Sequence, residues 1–283
     1  MPRGQCLCGD VSWEVEGPLQ LVHDCHCSRC QKSHGVASVT MAAVPVDKLR
    51  FLRGESGVRS YASSPELHRR FCSRCGSQVP GGDESQGMTF LPIGALEGDY
   101  EARSEAHIFV ASKAPWHDIS DGRPTFDAYP PGVASGTVLA DLGRSAATPG
   151  RVGGSCLCGA LRWEYEGKPR LMRRCHCLRC RRARAASHAA NAMVPVDALH
   201  WTAGEQAVVA FKLPEAERFS QAFCPTCGSK APWYIALRDA WVVPLGSLDD
   251  DPGAKPTEHI FVGSKAHWEE ISDDVPQWEE YPA

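Results

Sequence analysis

The fourteen cysteines of this chain fall into two ordered sets of seven, and the densest stretch, Cys25-His26-Cys27-Ser28-Arg29-Cys30, returns as Cys175-His176-Cys177-Leu178-Arg179-Cys180 at an offset of 150. Three thiols within six residues call for a metal or a reaction. In an extended segment alternate side chains share a face, so Cys25 and Cys27 point together while His26 points away. A turn at Ser28-Arg29 then brings Cys30 to the same point. Three thiolates this close repel one another unless a cation sits among them, and soft sulfur ligands select zinc or a similar metal. The chain is expected to hold such a three-sulfur cup twice.

The rest of the repeat can be followed position by position. Residues 3–17 match 153–167, each opening with CxCG. Val11, Trp13 and Val15 alternate with Ser12, Glu14 and Glu16, the period of a half-buried strand, which Gly17-Pro18 ends. After the cup, Val44-Pro45-Val46-Asp47 corresponds to Val194-Pro195-Val196-Asp197, still at 150. Two residues are then gained, because Phe71-Cys72-Ser73-Arg74-Cys75-Gly76-Ser77 pairs with Phe223-Cys224-Pro225-Thr226-Cys227-Gly228-Ser229. The CxxCG form reads as a zinc knuckle, whose glycine lets the backbone curl around a metal. The copies diverge at Gly81-Gly82-Asp83-Glu84-Ser85-Gln86-Gly87 against Trp233-Tyr234-Ile235-Ala236-Leu237-Arg238-Asp239, so a cup bordered by this segment differs between them. Both halves close alike, with His107-Ile108-Phe109-Val110 against His259-Ile260-Phe261-Val262, followed by Trp116 and Trp268. Short β-rich runs punctuated by Gly and Pro predict two mainly β units with short helices at most, 1–131 and 151–283, and a small-residue linker over 132–150.

At 283 residues either half can bury its own core. A hydrophobic content of 43% and a charged content of 23% are those of a soluble globular chain, and no stretch is long enough to span a bilayer. The start runs into a cysteine motif without an apolar signal segment, so a reducing cytoplasm is expected and the thiol spacing points to metal rather than disulfides. A net charge of −4 argues against general nucleic-acid affinity.

Seven cysteines per half do not make two four-sulfur sites; one partition is a closed four and an open three. Cys6, Cys8, Cys72 and Cys75, and in the second half Cys156, Cys158, Cys224 and Cys227, can complete tetrahedral structural zinc. Cys25, Cys27 and Cys30, with Cys175, Cys177 and Cys180, then keep one position for water or substrate, the mark of a catalytic zinc. A histidine closing the cup is the inert alternative, and redox use of the thiols is a third. Of the histidines, His23, His34 and His117 face Arg173, Arg184 and Glu269 in the second copy, and only His26/His176 and His107/His259 recur. An open three-thiolate zinc suits sulfur substrates, making or breaking a carbon–sulfur bond. Arg170, Arg173, Arg174, Arg179, Arg181, Arg182 and Arg184 surround the second cup and could hold a substrate's carboxylates or form a solvated face. Trp13, Trp163, Trp116 and Trp268 read as core, and Lys113 and Lys265 as exposed lysines or pocket residues.

The pattern CxCG, CHCxxC, FCxxCGS and HIFVxSKxxW, present twice, resembles the glutathione-dependent formaldehyde-activating enzyme family, also called the centromere-protein-V domain family. That resemblance implies two tandem Mss4-like domains of several coiled β-sheets, each stabilised by a zinc on the four-cysteine set and carrying a second, catalytic zinc on the cup. It also implies a carbon–sulfur lyase that joins formaldehyde and glutathione into S-hydroxymethylglutathione. Some members of the family are non-catalytic binding or scaffold proteins, which is one alternative function; the same chemistry on another small thiol is the other. One departure concerns the residues after the cup: Ser33-His34-Gly35 has the family form, whereas Ala183-Arg184-Ala185 lacks the glycine, so a backbone approach to substrate needing glycine is expected in the first half alone.

Overall fold

The computed structural model describes residues 1–82, 87–98, 100–132, 142 and 147–282. It is mainly β, with several sheets in each half, as the repeat and the resemblance lead one to expect. In the first half, one sheet runs Leu96–Glu97, Arg3–Gln5, Ser12–Val15, Leu49–Arg53. A second runs Thr125–Phe126, Ala106–Ile108, Gln20–Cys25, Val39–Pro45, Met88–Pro92, and a third Val58–Ala62, His68–Cys72, Gln78–Val79. The second half repeats this as Arg151–Ser155, Arg162–Glu166, Leu199–Ala203, then Trp233–Ile235, Ala240–Pro244, Ala189–Pro195, Leu171–Cys175, His259–Ile260, Gln277–Trp278, then Val209–Lys212, Ser220–Phe223, Lys230–Ala231. The divergent segment supplies the Trp233–Ile235 strand in the second half, whereas residues 83–86 of the first lie outside the described residues. So do 133–141 and 143–146, most of the expected linker.

Alternation reads through to packing. Val11, Trp13 and Val15 are fully buried, and Glu14, on the other face, pairs with Arg50 and Arg3. Trp163 and Trp116 are buried as expected. Among the described residues, none of the helices is long and apolar enough to cross a membrane.

The strand that ends in Cys25 is held antiparallel to Val39–Pro45 and parallel to Ala106–Ile108, and Leu171–Cys175 is held the same way in its half. Each strand feeds a seven-residue helix, α1 (Ser28–His34) and α2 (Leu178–Arg184). α1 packs on Leu245–Ser247 of the opposite half, and α2 on Ile93–Ala95. The interior is shared: Ala183, Ala185, Phe211 and Leu213 join the core around Trp13, while Ala37, Ala114 and Trp116 join the core around Trp163. The knuckles also meet, with the Phe71 and Phe223 rings edge to face at 6.3 Å. A Cβ on Gly76 would lie 2.3 Å from Phe223, and one on Gly228 2.5 Å from Phe71, at φ of +73° and +71°. Glycine after CxxC is thus required twice over, by the turn around the sulfurs and by the opposite half.

Candidate metal centres and the cups

The four-sulfur sets form as expected. The Sγ atoms of Cys6, Cys8, Cys72 and Cys75 lie within 4.8 Å of one another, as do those of Cys156, Cys158, Cys224 and Cys227. The CxC pair occupies the turn between Arg3–Gln5 and Ser12–Val15, closed by Gly9 N–H to Cys6 O at 3.1 Å. The CxxC pair occupies the knuckle, closed by Gly76 N–H to Cys72 O at 2.8 Å. Neighbouring sulfurs stand 3.5 and 3.7 Å apart in the first set and 3.4 and 3.7 Å in the second. A tetrahedral ion with metal–sulfur bonds of about 2.3 Å has its ligands about 3.8 Å apart, so the geometry fits zinc. Backbone N–H groups of Val11 and Leu161 donate to Cys6 and Cys156 Sγ at 3.3 and 3.2 Å. Ser77 and Ser229, to which no role was attached from sequence, tie each knuckle to its CxC turn: each hydroxyl takes the N–H of the residue between the CxC cysteines at 3.1 Å. Without a cation the thiols cannot all ionise. Hydrogen bonding to Cys72 pushes Cys6 far above the usual thiol range, and hydrogen bonding from Cys6 pulls Cys75 far below it.

The three-sulfur sets form as well, each within 4.8 Å. The expected turn at Ser28-Arg29 is the first turn of α1, and this is a correction in detail. Cys27 is its N-cap, its Sγ accepting the Cys30 N–H at 3.4 Å, and Cys177 does the same for Cys180 at 3.5 Å. Helical winding from a capping cysteine returns the third residue onto the cap, which is why CxxC closes the cup. In the first cup hydrogen bonding to Cys27 raises Cys25, and hydrogen bonds from Cys25 and Cys27 hold Cys30 well below the usual thiol range. In the second, Cys175 is pushed up to about 12 by its bond to Cys177, which is itself pulled down to about 3. A cation would relieve both conflicts.

Among the described residues no histidine or carboxylate atom joins either set of three. The recurring histidines are spent elsewhere. His26 Nε2 meets His107 Nδ1 at 2.9 Å and His107 Nε2 meets Asp121 at 3.0 Å, while His176, His259 and Asp273 repeat the chain at 2.8 and 3.0 Å. His26 faces away from the cup, as strand alternation requires.

The two cups differ in lining. In the first, the Arg69 guanidinium reaches Cys30 Sγ at 3.5 Å, and Met41, Phe109 and Tyr129 pack around. Gln221 occupies the equivalent place in the second half and turns away to donate to Cys75 O at 2.5 Å. The second cup opens on a cavity of about 150 Å³ lined by Cys175, Cys180, Trp233, Ile235 and Tyr281, so the divergent segment does border it. Most of the expected arginine run is tied up: Arg173 pairs with Glu258, Arg174 with Asp273 and Arg182 with Glu97, and Arg181 and Arg184 are buried. Of that run Arg173 and Arg184 line the cavity, joined by Arg218 and Arg238, which are distant in sequence and so escape a local count of charges.

The glycine after α1 ends the helix. Gly35 and Ala185 both cap their helices in the left-handed region, at φ of 71° and 49°, so alanine reproduces the turn at some conformational cost. A Cβ on Gly35 would crowd Pro244 and Lys230 of the opposite half. Lys113 Nζ donates to the carbonyls of Ala114 and His117.

A family model described as glutathione-dependent formaldehyde-activating enzyme matches residues 1–112 and again 151–264. Among solved structures, the crystal structure of a Rhodobacter sphaeroides protein is similar at 27% identity, over 34% of this chain and 89% of that one. Its TM-score is 0.29, too low to support an argument.

Proposed function

The chain belongs to the glutathione-dependent formaldehyde-activating enzyme family, and on that premise we propose that its cups make or break the carbon–sulfur bond of a thiol–aldehyde adduct such as S-(hydroxymethyl)glutathione. Cys6, Cys8, Cys72 and Cys75, and Cys156, Cys158, Cys224 and Cys227, would hold structural zinc; Cys25, Cys27 and Cys30, and Cys175, Cys177 and Cys180, would hold the catalytic zinc. When bound with one position free, zinc takes a thiol and lowers its pKa, so that a thiolate is available at neutral pH.

The observation that carries this reading is a set of three converging sulfurs, joined by no fourth donor among the described residues, which in the second half faces a cavity. Around that cavity Arg218 and Arg238 offer guanidinium groups for the carboxylates of a peptide thiol. Trp233, Ile235, Val242 and Tyr281 supply apolar walls. In the forward direction the thiol sulfur bonds the aldehyde carbon and the thiol proton ends on the aldehyde oxygen; the reverse step returns both reactants. Fourteen free thiols suit a reducing cytoplasm.

A second reading applies to the first cup. The Arg69 guanidinium stands 3.5 Å from Cys30 Sγ, a contact that Gln221 does not repeat in the second cup, which favours a binding or scaffold role there. NMR exchange spectroscopy on glutathione and formaldehyde with zinc-replete protein tests both. If both cups catalyse, Cys27→Ala and Cys177→Ala each lose part of the acceleration; if the first cup only binds, acceleration is lost in Cys177→Ala and kept in Cys27→Ala. No acceleration by the wild-type chain would leave the scaffold reading for both halves.

A further inference from the structure

The second half contains a cluster of nitrogen and oxygen donors that the cysteine chemistry does not use. His176 Nδ1 lies 3.0 Å from Glu269 Oε2, and His188 Nδ1 lies 3.1 Å from Glu269 Oε1. The three residues offer one ligand atom each within 4.8 Å of one another. His188 and Glu269 lie at the wall of a cleft of about 280 Å³ that both halves line, with His176 fully buried behind them. We propose that His176, His188 and Glu269 form a site for a divalent first-row transition ion, separate from the cysteine sites, with its remaining positions turned to this cleft.

Three observations support it. The spacing fits, because donors at about 2.1 Å and at right angles around one ion lie about 3.0 Å apart. The ligand support fits: His176 Nε2 meets His259 Nδ1 at 2.8 Å, and His259 Nε2 meets Asp273 at 3.0 Å, a relay to a carboxylate of the kind that orients a metal-binding imidazole. A third is the state of His188 itself. His188 also meets the Ser187 hydroxyl at 2.9 Å, while its Nε2 is buried without a partner.

Two imidazoles and one carboxylate with open positions form a donor set for iron, cobalt, nickel or zinc rather than for calcium or magnesium. The first half lacks the set. Ser38 stands where His188 does, at offset 150, and His117 where Glu269 does, at offset 152. Comparing the halves for recurrence therefore discards this site, because it belongs to one copy.

The test is a Co²⁺ titration of the full chain with its cysteine sites first filled with zinc, read by calorimetry and X-ray absorption. About one equivalent bound through nitrogen and oxygen alone is expected, with affinity falling at least about tenfold in His188→Ser and in Glu269→Gln. Serine at 188 reproduces the first half's residue, so the fold should accept it, and an unchanged zinc content in both variants verifies that the cysteine sites remain. No Co²⁺ bound by the wild type, Co²⁺ with sulfur neighbours only, or wild-type affinity in both variants would overturn the proposal.

Discussion

Lys230 shows how much a single buried residue can depend on the opposite half. Its side chain is fully buried and its Nζ donates to Gly76 O in the other knuckle. Desolvation, with Arg184 adding repulsion, pushes its pKa from 10.5 down to about 7. Between those values the unfolded chain holds a proton that the folded chain has lost, so this residue makes stability rise with pH from about 7 to about 10.5, by up to about 1.4 kcal/mol per unit. Urea midpoints at pH 7 and pH 9 should separate more in the wild type than in Lys230→Met; equal separations would contradict the assignment. At this scale the cysteines were readable from sequence, since CxC and CxxC spacing carries its own geometry. Ser77, Arg69 and the His188–Glu269 pair were not, because what gives them a role is a neighbour brought in by the fold from far along the chain.

The elements that matter most are α1 and α2, each a cup on one side and an inter-half contact on the other. Lys32 on α1 is buried and pairs with Asp249 at 2.6 Å, whereas on α2 Arg182 forms a partly exposed pair with Glu97. Lys32 also donates to Ser155 O and Ser247 O, so the ammonium is well satisfied. Removing one partner leaves a buried charge. Lys32→Ala should cost about 3–5 kcal/mol in chemical denaturation, and Lys32→Met with Asp249→Leu should recover most of it. A single-variant loss below about 1 kcal/mol would mean that water reaches the pair. The strands around these helices were legible from alternation and from Gly and Pro. Short helices were allowed for but not placed, since seven residues leave too little periodicity to read and the stretch after Cys27 suggested only a turn.

Across the whole molecule the two copies, which we propose as 1–131 and 151–283 joined through 132–150, are alike in plan and unlike in chemistry. Their cores interpenetrate at Ala183, Phe211 and Leu213 in one direction and Ala37 and Trp116 in the other. Repetition made the architecture readable, since each motif could be checked against its twin. The same comparison hid the differences: an arginine over one cup, an arginine-lined cavity at the other, and a histidine–carboxylate cluster in one copy. The central claim is that the three-cysteine cups are metal sites in their own right. The most direct test is zinc content after metal-replete refolding, wild type beside Cys27→Ala/Cys177→Ala, with both kept folded by the four-cysteine sets. A loss of about two zinc ions per chain in the variant is predicted. Equal zinc contents would contradict the account.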